Sequence, residues 1–312
     1  MNRKPKILVV GSIIMDLLLL TKRVPLPGET ILSEKYQFGP GGKGSNQAVA
    51  SALMGGDTTF VCKVGDDEFG KQLQQSLINK GVSVDYVSVN PNKQSGFCVI
   101  MLEDGGNNRL ITHLASNADL SKADIDRAFE QEDYDGMIIQ FETSEESIIY
   151  ACDKARAKGI PIIVDAGPSV NFPLEKIRGL EILSPNETET ATLCGVTPTN
   201  EIDGKKAAEI LAERSGAKHI VLKMGDKGSM HYSRHYTNGQ IMHYPSHKVN
   251  AVDATAAGDV FTAAMAVQYL QHGDIGKAIK YANIAGALTV TKVGAQDSIP
   301  TAQDVAAFGK AE

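Results

Sequence analysis

The residues best suited to chemistry lie in two clusters of small side chains, each running into an apolar helical pattern. The first is Asp253-Ala254-Thr255-Ala256-Ala257-Gly258-Asp259, followed by Val260, Phe261, Ala263, Ala264, Met265 and Val267. Ala256, Ala257 and Gly258 are too small to shield backbone amides where a helix begins. Unsatisfied amides and the helix dipole stabilise an anion at such a point. Asp259 falls in the same opening turn. Its carboxylate could take a proton from an attacking hydroxyl while the amides hold a transferring phosphoryl charge; the competing role is a helix cap. The second cluster is Gly39-Pro40-Gly41-Gly42-Lys43-Gly44-Ser45-Asn46, leading into the helix-like Gln47–Leu53. Its glycines let the backbone approach a ligand, and Lys43 and Asn46 supply donors. Lys43 precedes Gly44 instead of following the last glycine, so this is not a Walker A loop.

Further candidates stand just after short apolar runs. Asp16 is the only charge between Leu8 and Leu20. A carboxylate in such a setting needs partners or a ligand, because burying it alone is costly. Sugar hydroxyls would serve, as would a cap or an internal salt bridge. Glu142 occupies an equivalent place after Gln140-Phe141. Asn186-Glu187-Thr188-Glu189 follows Leu183-Ser184-Pro185; a carboxylate there either organises Mg²⁺ and its waters near phosphates or decorates a helix N-terminus. Gly225-Asp226-Lys227-Gly228 reads as a tight turn that could border a nucleotide.

The elements that must position these residues are legible as alternating patterns. Ile7–Val10, Met137–Ile139, Ile160–Val164, Glu181–Leu183 and His219–Leu222 have the form of strands buried on both faces of a parallel sheet. Helical patterns lie between them. One opens at Thr143-x-x-Glu146, a capping-box spacing, and stops near Gly159; another runs from about Asp203 to Arg214. The alternation predicts βαβ units in a doubly wound sheet, where ligands sit beyond the carboxyl ends of the strands. Residues 17–40 and 96–114 break the alternation. The latter reads as a hairpin, Phe97–Leu102 and Arg109–Leu114 joined by a turn over 103–108. Together they predict a small β-sheet lid on one domain spanning residues 1–312.

The chain's 312 residues, 42% hydrophobic and 22% charged, describe a globular protein with a substantial core. A net charge of −6 with scattered basic residues argues against a nucleic-acid or anionic-membrane surface. The four cysteines, Cys62, Cys98, Cys152 and Cys194, are far apart and read as free thiols in a reducing compartment. The N-terminal apolar stretch is broken by Gly11, Ser12 and Asp16, too short to span a bilayer, so a cytoplasmic location is expected.

In their order along the chain, several of these pieces resemble the ribokinase branch of the PfkB carbohydrate kinase family. They are Gly11 with Asp16, Gly41-Gly42-Lys43-Gly44-x-Asn46-Gln47-Ala48, Asn186-x-x-Glu189, Gly225-x-x-Gly228, Ala256-Ala257-Gly258-Asp259 and Gly294-Ala295-Gln296-x-Ser298-x-Pro300. The resemblance covers essentially the whole chain. It implies an α/β fold: a doubly wound, mostly parallel sheet flanked by helices, with a small β-sheet lid. The implied activity is ATP-dependent phosphorylation of a pentose, ribose at its 5-hydroxyl, with 2-deoxyribose or another sugar or nucleoside as the alternative. Carried onto the matching positions, Asp259 is the catalytic base and Ala256, Ala257 and Gly258 form an anion hole. Asp16, Gly42, Lys43, Asn46 and Glu142 hold the sugar with Asp259. Asn186, Lys223, Met224, Gly225, Asp226, Lys227, Gly228 and Asn283 line the nucleotide site with Gly258, and Glu189 acts through Mg²⁺. A monovalent-cation site, usually K⁺, falls on Asp253, Thr255, Thr289, Lys292, Gly294 and Ser298. The lid corresponds to the family's β-clasp, which implies a homodimer.

Three positions depart from the family pattern. Ile14 stands where an Asn is usual, and an apolar residue there suits a sugar lacking one hydroxyl. Ala254 replaces a usual Thr, and Lys223 a common one. Two other classes compete with the kinase: a non-catalytic sugar- or nucleotide-binding regulator, and a nicotinamide-dependent enzyme. The latter lacks the GxGxxG fingerprint after the first strand.

Overall fold

The computed structural model describes residues 3–104 and 108–311. Its strands are β1 (Lys6–Val10), β2 (Ile14–Thr21), β3 (Lys35–Gly41), β4 (Asp57–Gly65) and β5 (Val87–Asn90) in the first third. Then come β6 (Gly96–Glu103), β7 (Asn108–His113), β8 (Gly136–Ile139), β9 (Ile162–Asp165) and β10 (Ile182–Ser184). The last are β11 (His219–Lys223), β12 (Ser229–Tyr232) and β13 (Ile241–Tyr244). The helices are α1 (Lys43–Leu53), α2 (Glu68–Asn79), α3 (Lys122–Gln131), α4 (Glu145–Ala157) and α5 (Glu187–Cys194). They continue as α6 (Glu201–Ser215), α7 (Ala257–His272), α8 (Ile275–Thr289) and α9 (Ala302–Ala311).

Among the described residues, nine strands form one sheet in the order β13-β12-β11-β10-β9-β8-β1-β4-β5. Pairing is parallel from β5 to β11 and antiparallel at β12 and β13. The apolar runs are buried on both faces because alternate residues enter different cores. Leu8 and Val10 pack with Met137, Ile139, Ile148, Phe129 and Leu211 beneath α3, α4 and α6. Ile7 and Val9 pack with Ile138, Val49, Val260, Met265 and Ile279 beneath α1, α7 and α8. This is the arrangement a doubly wound sheet requires.

The two anomalous segments meet in a second sheet, ordered β3-β2-β6-β7. β2 runs parallel to β6 from Ile14↔Gly96 to Thr21↔Glu103, while β3 and β7 flank them antiparallel. The small sheet thus begins at Ile14, three residues before the expected segment. The centre of the expected 103–108 turn, residues 105–107, lies outside the described residues.

Several boundaries differ from expectation for local reasons. The helix expected to open on a Thr143–Glu146 box is capped instead by Ser144, whose hydroxyl accepts from the Ser147 amide. Thr143 Oγ1 is buried without a hydrogen-bond partner. β9 starts at Ile162 and not Ile160, because Pro161 has no N–H for the ladder. The helix expected over 203–214 begins two residues earlier, since the Asn200 side chain accepts from the Ile202 and Asp203 amides. Among the described residues, no helix is long and apolar enough to cross a membrane.

Candidate active site

The carboxyl ends of β1, β8, β9 and β11 converge on the openings of α1 and α7. The glycine cluster is less of a loop than the sequence suggests. β3 runs to Gly41, Gly42 caps α1 with φ 90°, and Lys43 is the first helical residue. The helix expected from Gln47 therefore starts four residues earlier, and Lys43, Asn46 and Gln47 all project from its first turns. Gly44 is tolerated in the helix because it lies against β1's exit: a Cβ there would be 2.6 Å from the Ser12 nitrogen.

Asp259 lies in the first turn of α7 and is buried. Its Oδ2 accepts from Asn46 Nδ2 at 2.9 Å and its Oδ1 from Gln47 Nε2 at 3.2 Å. Lys43 Nζ is 3.7 Å from Oδ1. Burial raises the Asp259 pKa, and Lys43 opposes part of that rise. Ahead of it, Ala256 adopts a left-handed conformation, φ 63°, and offers no side-chain cap. This is a strained position for a residue with a Cβ, worth about 1–2 kcal/mol. The Ala257 amide closes a turn on the Ala254 carbonyl at 3.3 Å. Among the described residues, the Gly258 and Asp259 amides have no protein acceptor. Among the described residues the Ala256 amide has no protein acceptor either, so of the Ala256–Gly258 trio only Ala257 is engaged, and Asp259 adds an open donor.

On the lid side, Glu142 accepts from the Ser12 hydroxyl and from the Lys43 amide at 2.8 Å. Burial raises its pKa, with Lys43 opposing. Asp16 sits on β2 opposite Gly39 of β3, and among the described residues no protein hydrogen-bond donor reaches its carboxylate. Burial, followed by the charges of Glu142 and Asp259, pushes its pKa up to about 7. Ile14 lies two residues away on the same face, packed so closely that a Cβ on Gly96 would be 3.1 Å from its Cγ1. Asn46 Oδ1 is buried and has no hydrogen-bond partner.

Glu189 and Asn186 form a reciprocal capping box at the start of α5. Glu189 Oε2 accepts from the Asn186 amide at 2.8 Å, while Oε1 faces Lys43 Nζ at 3.9 Å. Burial raises the Glu189 pKa. Lys43 stands between carboxylates; burial opposes its charge, but Asp259, Asp165, Glu189 and Glu142 together raise its pKa. The Gly225–Gly228 stretch is a tight turn, with Met224 buried beneath and Asp226 and Lys227 exposed. Its backbone is tied down by Ser246 Oγ on the Asp226 carbonyl (2.7 Å) and His243 Nε2 against the Lys227 carbonyl (2.8 Å). Asn283 donates to the carbonyls of Tyr244 (3.2 Å) and Pro245 (3.3 Å), so its amide braces the chain beside Gly228. Lys223 turns away from this loop and pairs with Asp165 at 2.7 Å.

The model of the pfkB family carbohydrate kinases matches residues 4–302. The chain belongs to that family. It is 33% identical to a deoxyribokinase of Salmonella typhi, over 95% of both proteins. It is 34% identical to a ribokinase of Bacillus subtilis, over 96% of this chain and 97% of that one. The structure of Arabidopsis thaliana ribokinase complexed with ribose and ATP is similar with a TM-score of 0.87 at 30% identity, covering 98% of this chain and 99% of that one. This pfkB-family chain is an ATP-dependent sugar kinase with a ribokinase fold.

The other residues singled out in the sequence lie on the segment before α7 and at and after the end of α8, which meet beside α7. Asp253 Oδ1 accepts from the Thr255 amide and hydroxyl, and Oδ2 accepts from the Gly294 amide at 2.9 Å. The Thr289 hydroxyl bonds the Ala285 carbonyl and the Ser298 hydroxyl that of Ala295, while the Lys292 amide donates to the Thr289 carbonyl. Sequence reasoning gave no role to Gln47, Gln140, Asp165 or Gly167. Gln140 donates to Gln47 Oε1 at 2.6 Å, which fixes the amide that Gln47 presents to Asp259. Gly167 forms the floor under the lysine: a Cβ there would be 2.5 Å from Lys43 Nζ and 2.6 Å from Glu189 Oε1. The available signal for Gln140, Asp165 and Gly167 was their place just after predicted strands, and for Gln47 its place at the start of a predicted helix beside the glycine cluster.

Proposed function

We propose that this kinase transfers the γ-phosphoryl group of ATP to the 5-hydroxyl of ribose. The observation that carries this reading is the opening of α7, where a buried carboxylate and two unpaired amides share one turn. Asp259 accepts the proton of the sugar hydroxyl as its oxygen attacks phosphorus. The Gly258 and Asp259 amides hold the charge that spreads over the moving phosphoryl oxygens. Asp16, Glu142, Lys43 and Asn46 orient the sugar, and the orphaned Asn46 Oδ1 supports this because a buried acceptor needs a donor. The loop after β11 and Asn283 border the nucleotide. An ADP-release assay on ribose, 2-deoxyribose, fructose, tagatose and adenosine tests the reading. Ribose turnover is expected; turnover of adenosine alone would overturn the pentose assignment.

One observation favours a second reading within the same class. Ile14 puts an apolar wall on the face of β2 that carries Asp16, which suits 2-deoxyribose. In the same assay, deoxyribose preferred over ribose would decide for it.

The charges of the site support a divalent cation. Five carboxylates (Asp16, Glu142, Asp165, Glu189 and Asp259) face two ammonium groups (Lys43 and Lys223), a formal excess of three negative charges where a triphosphate must bind. Glu189 would hold Mg²⁺ through its waters; the ion would neutralise phosphate charge. The family's monovalent cation fits the loops joined by the Asp253–Gly294 hydrogen bond. Asp253, Thr255, Thr289, Lys292, Gly294 and Ser298 would hold it, largely through main-chain oxygens, and it would stiffen the approach to the anion hole.

We read residues 1–312 as one kinase domain whose small sheet is a lid. Register puts Leu18, Leu20, Ile100 and Leu102 on one face and Leu17, Leu19, Val99 and Met101 on the other. Tyr36, Phe38, Leu110 and Ile111 on its outer strands are exposed. A sheet apolar on both faces calls for cover, which a second copy would supply in a homodimer. The four free cysteines suit a reducing, cytoplasmic compartment.

A further inference from the structure

Beneath the opening turn of α7 lies a buried ion pair. Lys223 ends β11, and its ammonium donates to Asp165 Oδ2 at 2.7 Å and lies 3.5 Å from Thr262 Oγ1. Asp165 ends β9 and is fully buried; the Gly167 amide (3.1 Å) and the Thr262 hydroxyl (2.7 Å) also reach it. Thr262 in turn lies 3.1 Å from the Gly258 carbonyl. The trio is built against the anion hole itself, since a Cβ on Gly258 would be 3.5 Å from Lys223 Nζ. An ammonium has three N–H donors, and Asp165 and Thr262 engage two. The Lys223 side chain keeps 10% exposure, and among the described residues its third N–H has no protein acceptor. Stability does not account for the arrangement, because a buried Lys–Asp pair is commonly no better than apolar residues of the same volume.

We propose that Lys223 donates its remaining N–H to the phosphoryl group in flight, with Asp165 and Thr262 as the residues that position it. This rests on the kinase reading above and adds a fixed cation to the anion hole that the Gly258 and Asp259 amides form. The moving phosphoryl group spreads its charge over three oxygens, and a cation already held in place stabilises that charge without reorganising. Lys223 thereby favours the terminal phosphoryl of a triphosphate over the phosphates of ADP.

The test compares wild type, Lys223→Met, Asp165→Asn and the double variant, with thermal unfolding to establish that each is folded. Lys223→Met should lower kcat by about 10²–10³-fold and leave the sugar KM unchanged. It should weaken binding of a non-hydrolysable ATP analogue more than binding of ADP. The double variant removes both charges at once. If Lys223 only neutralises Asp165, the double variant regains wild-type kcat and the proposal is overturned; a kcat still reduced supports it. Should Lys223→Met alone fail to fold, the double variant carries this comparison. Equal weakening of the analogue and ADP also overturns the proposal. Absence of sugar turnover in the wild type sinks the kinase reading, whereas variants as fast as wild type sink only the role of Lys223.

Discussion

Replacing Gly41 with Ala should move Asp16 without deleting it. Gly41 ends β3 directly beside the Asp16 carboxylate. A Cβ there would be 2.5 Å from Asp16 Cγ and 2.9 Å from Oδ1, where ordinary contact begins at 3.4 Å. Oδ2 lies nearer still, so the carboxylate must retreat by roughly 1.5 Å, and a displacement of about 1 Å can already cost about two decades when it misplaces a binding group. Loss of a charge-assisted hydrogen bond to a sugar hydroxyl costs about 1.5–3 kcal/mol. At about 1.4 kcal/mol per decade, that is roughly a 10- to 150-fold rise in sugar KM. Because the obstructing atoms end a side chain and Gly41 has no positive φ, stability should stay within about 1 kcal/mol of wild type. A coupled ADP-release assay with sugar and ATP titrated separately gives the answer, with Asp16→Asn as the companion variant. The expected result is a raised sugar KM with an unchanged ATP KM. A folded Gly41→Ala enzyme with a wild-type sugar KM would remove Asp16 from the sugar site.

Asp259→Asn keeps the shape of the opening turn and removes the base, so kcat should fall by about 10²–10⁴-fold while calorimetry still detects sugar and ATP binding; full activity would refute the base role. Ile14→Asn should raise kcat/KM for ribose relative to 2-deoxyribose by about tenfold, measured with both sugars under one condition; an unchanged ratio would show that Ile14 does not face the 2-position. The buried pair His219–His231, 3.0 Å apart, predicts an acid-sensitive fold. Burial and His219 push the His231 pKa down to about 3, and burial lowers that of His219. The folded His231 ring stays neutral while the unfolded chain binds protons near pH 6.5. Its contribution to stability is therefore full above about pH 6.5 and is lost as pH falls toward 3, by up to about 1.4 kcal/mol per pH unit, and His219 acts in the same direction. Denaturant titrations at several pH values should show a shallower slope for His231→Leu; parallel slopes would contradict the assignment.

Much of this architecture was legible because it is local. The apolar runs of β1, β8 and β11 announce their burial residue by residue, and the opening of α7 carries its small residues and its acid in seven consecutive positions. Boundaries were read less well where neighbours compete for one role. Thr143 and Ser144 are both competent caps, and only packing selects Ser144. Gly44 signals a break in sequence yet lies inside α1, because its missing Cβ is needed for the approach to Ser12 and not for a turn. The least legible features depend on strand order. Asp165 and Lys223 are 58 positions apart, and Gln47 and Gln140 are 93 apart. No local pattern distinguishes such residues from others at strand ends; the sheet has to bring β9 to β10 and β10 to β11 before a lysine meets its carboxylate.

The five carboxylates of the site differ in what the protein already gives them. Asp165 has Lys223, Thr262 and a backbone amide. Glu189 has the Asn186 amide, Glu142 has Ser12 and the Lys43 amide, and Asp259 has two side-chain amides. Among the described residues, Asp16 alone of the five accepts no protein hydrogen bond. A carboxylate removed from water with no donor is held near its neutral form, which is why its pKa rises to about 7. Four acids are thus set in place by the fold, and the fifth is left for something that donates. A sugar with adjacent hydroxyls supplies two donors to one carboxylate, and the lid strand carrying Asp16 is the element that would close over it. On the proposed reading, recognition of the sugar and seating of the lid would share a single residue.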